Sequence, residues 1–352
     1  MGREMSACWA LQAAEKIAGQ RVEHRNYCQA VERILNALGI AQPGEVVVVV
    51  GPSRVGKSRA VAQAVSRCVR LPVGSDGKPF VIVQAENAST LGAFSTKAFM
   101  QALCRAIEHP IYGMAEPDDP WGSRIHARLH RTPEAMLRDA VEHGLLLLGT
   151  RYLVVDEAHH VGYAGSNGAN ALAVLDSWKC MAHRTNTVLC LVGSYQLLDI
   201  LARAPHLLGR QRLIEFPRYR ANDSEDIKAF GQILQAWSTL FRFDDPQTTL
   251  RSWRRLLFTH SFGCIGHLSK WLRSTLGEIS AGKLNAVTES LLRSTRHPAS
   301  QEAAIAAEIE AGELAISRSD LPVVARSNDT PRKTSRKPFQ RATRRFDIDG
   351  RR

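Results

Sequence analysis

The sequence predicts an α/β protein: a parallel five-stranded sheet with crossover helices, followed by a small helical domain. Three observations carry this. Five short apolar runs, at 46–50, 80–83, 152–155, 188–192 and 213–216, have the length of strands. Helix-compatible stretches around 58–70, 93–108, 133–148, 170–183 and 195–203 separate them, as crossovers between parallel strands require. After Pro217 the strand-like runs stop, and the pattern to about Thr295 is helical.

Residues 1–43 read as an N-terminal helical extension, with Tyr27, Val31, Ile34, Leu35 and Leu38 at three- and four-residue spacing. Gly39 and then Pro43-Gly44 end it. Glu45 opens onto five consecutive valines, apolar toward both faces, the pattern of a central strand covered on both sides. The core domain spans 44–220; within it Thr132 is expected to cap a helix with Pro133 in its first turn. The helical domain covers 221–298 and opens on Asn222-Asp223-Ser224-Glu225, which resembles a capping box. The remainder, 299–352, reads as one Ala/Glu-rich helix over Gln301–Ile316 and a basic tail. Pro, Ser, Thr and Arg replace aliphatic residues there, so the tail is expected to be disordered when free.

Of the 352 residues, 44% are apolar and 23% charged, which excludes a wholly disordered chain. No run of about 18 apolar residues occurs, so no membrane span is expected. No secretory signal is expected either. The seven cysteines are scattered, odd in number and never spaced as CxxC, and they read as reduced core residues of a cytoplasmic protein. The histidines show no HExxH or C2H2 spacing, and His159-His160 is assigned no metal. The net charge of +12 points to a polyanionic partner, but ten basic and three acidic residues fall between Arg326 and Arg352. Most of the excess therefore belongs to the tail.

The sharpest motif is Gly51-Pro52-Ser53-Arg54-Val55-Gly56-Lys57-Ser58, a full GxxxxGK[ST] between a buried strand and a helix. Its backbone N–H groups and the helix N-terminus suit phosphate oxygens, Lys57 the β- and γ-phosphates, and the Ser58 hydroxyl Mg²⁺. About a hundred residues on, Tyr152-Leu153-Val154-Val155-Asp156-Glu157 fits a Walker B strand. Asp156 would hold Mg²⁺ and Glu157 would polarise the attacking water, which favours hydrolysis of a nucleoside triphosphate. Ser194, after the next strand, is placed to orient that water. Arg210, with Arg212 second, is the candidate to stabilise γ-phosphate charge in an adjacent subunit.

Together these features resemble an AAA+ ATPase: P-loop, Walker B, a polar sensor 1, an arginine before the last strand, then a helical lid. A narrower set resembles the TniB/TnsC family, the ATP-dependent regulators of DDE-transposase transposons, over roughly residues 20–300. It comprises His24 and Tyr27 before the P-loop, Asp156-Glu157-Ala158-His159-His160, Leu191-Val192-Gly193-Ser194, and Gly263-Cys264-Ile265-Gly266-His267-Leu268 with Ser269-Lys270-Trp271-Leu272. The resemblance implies ATP and Mg²⁺ as cofactors. It implies assembly as a ring or helical filament, with a hexamer or heptamer per turn, on double-stranded DNA. Target-site choice, a transposase and a target-selector protein as partners, and disassembly driven by hydrolysis follow from the same likeness. The family commonly places an arginine as sensor 2; the matching position here is His267, with Lys270 one turn on. DNA contacts are implied between Asn87 and Thr150. The candidates are Lys97 and the group Arg124, Arg128 and Arg131, whose spacing puts the three on one helix face. A protein-binding scaffold or a helicase-loader-like ATPase is the alternative, sharing the core and differing in partner. A helicase proper needs a second RecA-like domain that the segments after Phe216 do not supply.

Overall fold

The computed structural model describes residues 2–19, 23–69, 77–86, 92–113, 131–164, 169–203, 211–282 and 285–319. Two helices, α1 (Gly2–Gly19) and α2 (Arg25–Ile40), precede β1 (Val46–Val50) and α3 (Lys57–Cys68). Then come β2 (Phe80–Gln84), α4 (Thr96–Ala106), α5 (Glu134–Leu147), β3 (Tyr152–Asp156), a 3-10 turn (Ala158–Tyr163) and α6 (Ala169–Arg184). The sheet is completed by β4 (Val188–Gly193), α7 (Gln196–Leu201) and β5 (Gln211–Glu215). After it the chain is helical: α8 (Ser224–Ser238), a 3-10 turn (Leu250–Trp253), α9 (Arg254–Ser261), α10 (Ile265–Ser280), α11 (Glu289–Ser294) and α12 (Ala299–Ser319).

All five strands are parallel, in the order β2-β3-β4-β1-β5. The alternation of side chains splits the valine run between two layers. Val46, Val48 and Val50 face α4, α5 and α6 with Leu153, Val155, Leu189 and Leu191. Val47 and Val49 face α2 and α3 with Val154, Cys190 and Val192. None of the five valines is more than 3% exposed, as a central strand in a three-layer fold demands.

A second core lies in the helical domain, where Phe230, Leu234, Trp237, Leu257, Leu268, Trp271 and Leu272 pack together. The Trp271 indole donates to Leu292 O at 3.0 Å, which satisfies its one polar atom. The N-terminal extension is divided between the two cores. Ala10, Ala13 and Ile17 of α1 belong to the helical-domain core, and Val31, Ile34 and Leu38 of α2 to the sheet.

Two caps differ from the sequence reading. Pro133 itself caps α5: its ψ of 144° is extended, so the helix begins at Glu134 and not at Pro133. α8 is capped by the Asp223 carboxylate, which accepts from Glu225 N and Asp226 N. With Asp223 as the cap, the third helical residue is Asp226 and not Glu225, and its carboxylate accepts from Arg220 N at 2.7 Å while Asp223 N goes to Arg220 O, so no reciprocal arm forms. All seven cysteines are free, but Cys8, Cys28 and Cys180 are exposed; only Cys104, Cys190 and Cys264 are the buried core residues expected of all. Among the described residues no helix is long and apolar enough to cross a membrane. The expected disordered tail lies outside the described residues.

Candidate functional site

The strand β1 runs straight into the loop 51–56, and α3 begins at Lys57. Gly56 adopts φ 111°, a left-handed conformation that side chains rarely tolerate, and it turns the chain into the helix. The first-turn N–H groups of α3 have no intrahelical partner and are of the kind that suit an anion at the loop. Lys57 Nζ donates to Gly51 O at 3.0 Å and Pro52 O at 2.8 Å. Burial pushes the Lys57 ammonium below its ordinary range, opposed by the negative charge of Glu157, Glu308 and Asp156. A half-buried cation resting on two carbonyls has every electrostatic reason to turn toward a polyanion. Ser53, Arg54, Val55, Gly56, Lys57 and Ser58 line a cleft of about 620 Å³ above the loop.

The sheet register brings the remaining groups there. Val50 pairs with Gly193 and Val155 with Leu191, so the ends of β1, β3 and β4 are adjacent. Asp156 is 6% exposed, and its Oδ1 accepts from Glu157 N at 2.9 Å. Glu157 sits at φ 52° and lines the cleft, its side chain half exposed. Ser194 also lines the cleft; its Oγ is buried and has no hydrogen-bond partner among the described residues. A hydroxyl in that state is free to bind a water or a phosphate oxygen.

His159 bridges these two. Its Nδ1 accepts from Ser194 N at 3.4 Å and lies 3.3 Å from Glu157 Oε2. Burial first, then the neighbouring His160 and Lys57, push the His159 imidazole down to about 4, so it is neutral near pH 7. A neutral ring whose Nδ1 lone pair already faces an amide has no proton there to hold Glu157. His160 donates to Ala85 O at 2.9 Å. Ligand atoms of Glu157, His159 and His160 fall within 4.8 Å of one another, a grouping the motif spacing did not suggest.

The helical domain and the N-terminal helices supply further cleft lining, much of it apolar. Ile17 and Ala18 of α1, His24, Tyr27 and Trp237 line it, a shape and chemistry that suit a planar base. His24 Nδ1 accepts from Tyr27 N at 3.3 Å and pairs with Tyr219 Oη at 2.9 Å, while Tyr27 Oη donates to Gln63 at 2.7 Å. The His-x-x-Tyr pair therefore caps α2 and shapes the cleft together.

Gly266, Ser269, Lys270 and Arg273 of α10 line the cleft opposite the P-loop, and His267 does not. Helical geometry explains this. Gly266, Lys270 and Arg273 share a face at four- and three-residue spacing, and His267 is turned about 100° away. His267 is 5% exposed, lies 6.5 Å from Phe262 and 5.8 Å from His297 between ring centroids, and has no partner for either nitrogen among the described residues. Burial pushes it down to about 4. Lys270 and Arg273 are thus the lid cations at the cleft, and the sequence reading missed Arg273, which that spacing would have found.

The two glycines of Gly263-Cys264-Ile265-Gly266 are explained by close approach. A side chain at Gly266 would overlap Arg54 O, to which Gly266 N donates at 2.9 Å. Gly263, at φ 68°, would collide with Tyr219 O. The motif therefore fastens the helical domain to the P-loop and to the segment that follows β5.

Arg210, Arg124 and Arg128 lie outside the described residues. Arg212 is on β5, 3.7 Å from Glu45 and away from the cleft lining. Lys97 is in the first turn of α4 and Arg131 is exposed just before α5. Thr96 Oγ1 donates to Glu134 Oε2 at 2.8 Å, which joins the starts of these helices and brings both cations to one end of the pair.

Residues 41–201 match the family described as AAA domain. No curated protein matches the chain. Among solved structures, the Aeropyrum pernix ORC2 protein in its ADP form superposes with a TM-score of 0.52 at 15% identity, covering 78% of this chain and 69% of that one. The same protein as ADPNP-ADP complexes gives 0.50 at 14% identity, with 80% and 70% covered. A chain of Drosophila ORC bound to DNA gives 0.50 at 13% identity, with 82% and 65% covered. Residues 41–201 are thus similar to the AAA domain family, within an α/β fold whose five-stranded parallel sheet is followed by a helical region.

Proposed function

We propose that this chain is an ATP-hydrolysing AAA+ switch that assembles on double-stranded DNA and regulates transposition. The observation that carries the ATPase reading is one cleft holding the half-buried P-loop lysine, Glu157 and a Ser194 hydroxyl without a partner among the described residues, with Asp156 acting on the same lysine. In this reading Lys57 exchanges its two carbonyl partners for β- and γ-phosphate oxygens. Glu157 accepts the proton of the attacking water, and Ser194 Oγ orients that water. Ser58 and Asp156 are hard oxygen donors beside the lysine and fit Mg²⁺, which would neutralise phosphate charge. Lys270 and Arg273 bring positive charge from the lid, and Arg210 of a neighbouring copy is the proposed finger.

The DNA reading is supported by Lys97 and Arg131 at one end of α4 and α5, and by the basic composition of 326–352. The Aeropyrum protein of like fold holds ADP and ADPNP, and the Drosophila complex holds DNA. Support for transposition, with a transposase and a target selector as partners, is the motif resemblance alone. The test is duplex binding with and without ATP across a salt series, using the Lys57→Ala chain as control. ATP-dependent binding that weakens steeply with salt, and is lost in Lys57→Ala, is the expected result. Nucleotide binding without DNA binding would replace this reading with the protein-partner scaffold.

A further inference from the structure

The helix α12 follows the lid in sequence but does not join its core. It lies across the P-loop edge of the sheet, anchored at four points. Near its start Glu302 faces His260 at 2.9 Å on the lid. At its middle the Glu308 carboxylate accepts from Ser53 Oγ at 3.2 Å, on the phosphate loop itself. One turn on, Glu313 takes a two-pronged bond from Arg218 at 2.9 and 3.1 Å, just past β5. Between these, Ile309 is 2% exposed and Gly312 sits so close to the Tyr195 ring that any side chain there would overlap it. Residues 302, 305, 309, 312 and 316 recur at helical spacing with Glu308 and Glu313 beside them, all buried or partly buried, so one broad face makes the contact.

The acid at the middle of that face is out of keeping with the site beneath it. Ser53 lines the cleft, and Glu308 is close enough to act electrostatically on Lys57. A loop built to receive a polyanion already has a carboxylate hydrogen-bonded to it.

We propose that α12 is an intramolecular brake on the nucleotide cleft, in which Glu308 occupies the rim of the phosphate loop until a nucleoside triphosphate displaces the helix. The inference rests on the reading of the cleft as an ATP site. Repulsion between Glu308 and the incoming phosphates grows with ligand charge, so it opposes ATP more than ADP. Displacement also releases Arg218 from Glu313, at the edge where β5 leaves the sheet.

The test uses the full chain, titrated with fluorescent ATP and ADP analogues, together with hydrogen exchange over residues 299–319. Glu308→Gln is expected to tighten ATP binding about tenfold and ADP binding less. Gly312→Leu, which forces the helix off Tyr195, is expected to do the same by a different route. A non-hydrolysable ATP analogue should speed exchange in 299–319 of the wild-type chain. Unchanged or weaker ATP binding by Glu308→Gln, or exchange in 299–319 that nucleotide leaves unaltered or slows, overturns the brake and makes α12 a fixed strut. If the wild-type, Glu308→Gln and Lys57→Ala chains all fail to bind nucleotide, the ATP reading itself falls, which is a separate and recognisable result.

Discussion

Glu157 combines a left-handed backbone, φ 52°, with a carboxylate that no proton on His159 restrains. Strained non-glycine residues of this kind cost about 1–3 kcal/mol and persist where the surroundings impose them. Here Asp156 imposes it by taking Glu157 N. Replacing Glu157 by Gln keeps the shape and removes the base. ATP should bind as before while turnover falls about a hundredfold or more, as steady-state phosphate release and nucleotide titration would show. His267 supplies the opposite case. Its ring is buried with neither nitrogen bonded among the described residues, so His267→Leu should raise stability by about 1–3 kcal/mol and leave ATP affinity unaltered. A loss of ATP affinity in that variant would return His267 to the site.

At the scale of elements, α10 contains its own controlled comparison. Gly266 touches Arg54 O, whereas a methyl on Gly277 in the same helix meets nothing within 4 Å. Gly266→Ala should therefore destabilise the chain by about 1–3 kcal/mol and weaken nucleotide binding. Gly277→Ala should gain up to about 1 kcal/mol from helix propensity. Thermal melts of the two variants side by side decide the point. The strands, the P-loop and the Walker B end were legible in sequence because each is a local pattern: an apolar run, a glycine-spaced loop, an acid pair after a strand. The lid face was not. Matching by motif counts positions and chose His267, while the helix turns about 100° per residue and presents Lys270 and Arg273. The place of α1 was hidden for another reason. Ala10, Ala13 and Ile17 form a small apolar stripe that fits either core, and only the packing selects the lid. α12 was legible as a helix, but its contact with Ser53 depends on a tertiary meeting 255 residues apart.

For the molecule as a whole, His24, His159 and His267 are each pushed by burial down to about 4. The unfolded chain takes up protons on these rings as pH falls through the ordinary histidine value near 6.5, and the folded chain does so only near 4. Protonation therefore favours unfolding. The stability these groups contribute is complete above about 6.5 and is lost as pH falls toward 4. Denaturant melts of the nucleotide-free chain at pH 7.5, 6, 5 and 4.5 should show a steady decline, and His267→Leu should flatten it. A level profile across that range would mean the three rings are not held neutral.

The chain passes between its two cores ahead of α2, after Pro217 and again before α12, and the first two crossings are stitched together. His24 meets Tyr219 Oη, and Asn26 Nδ2 donates to Pro217 O at 3.3 Å and Arg218 O at 3.4 Å. A flap hung on paired, cross-linked straps swings about one axis and resists twisting about the others. Any opening of the lid is thereby channelled into a single swing, with the cleft-lining residues His24 and Tyr27 lying beside the pivot.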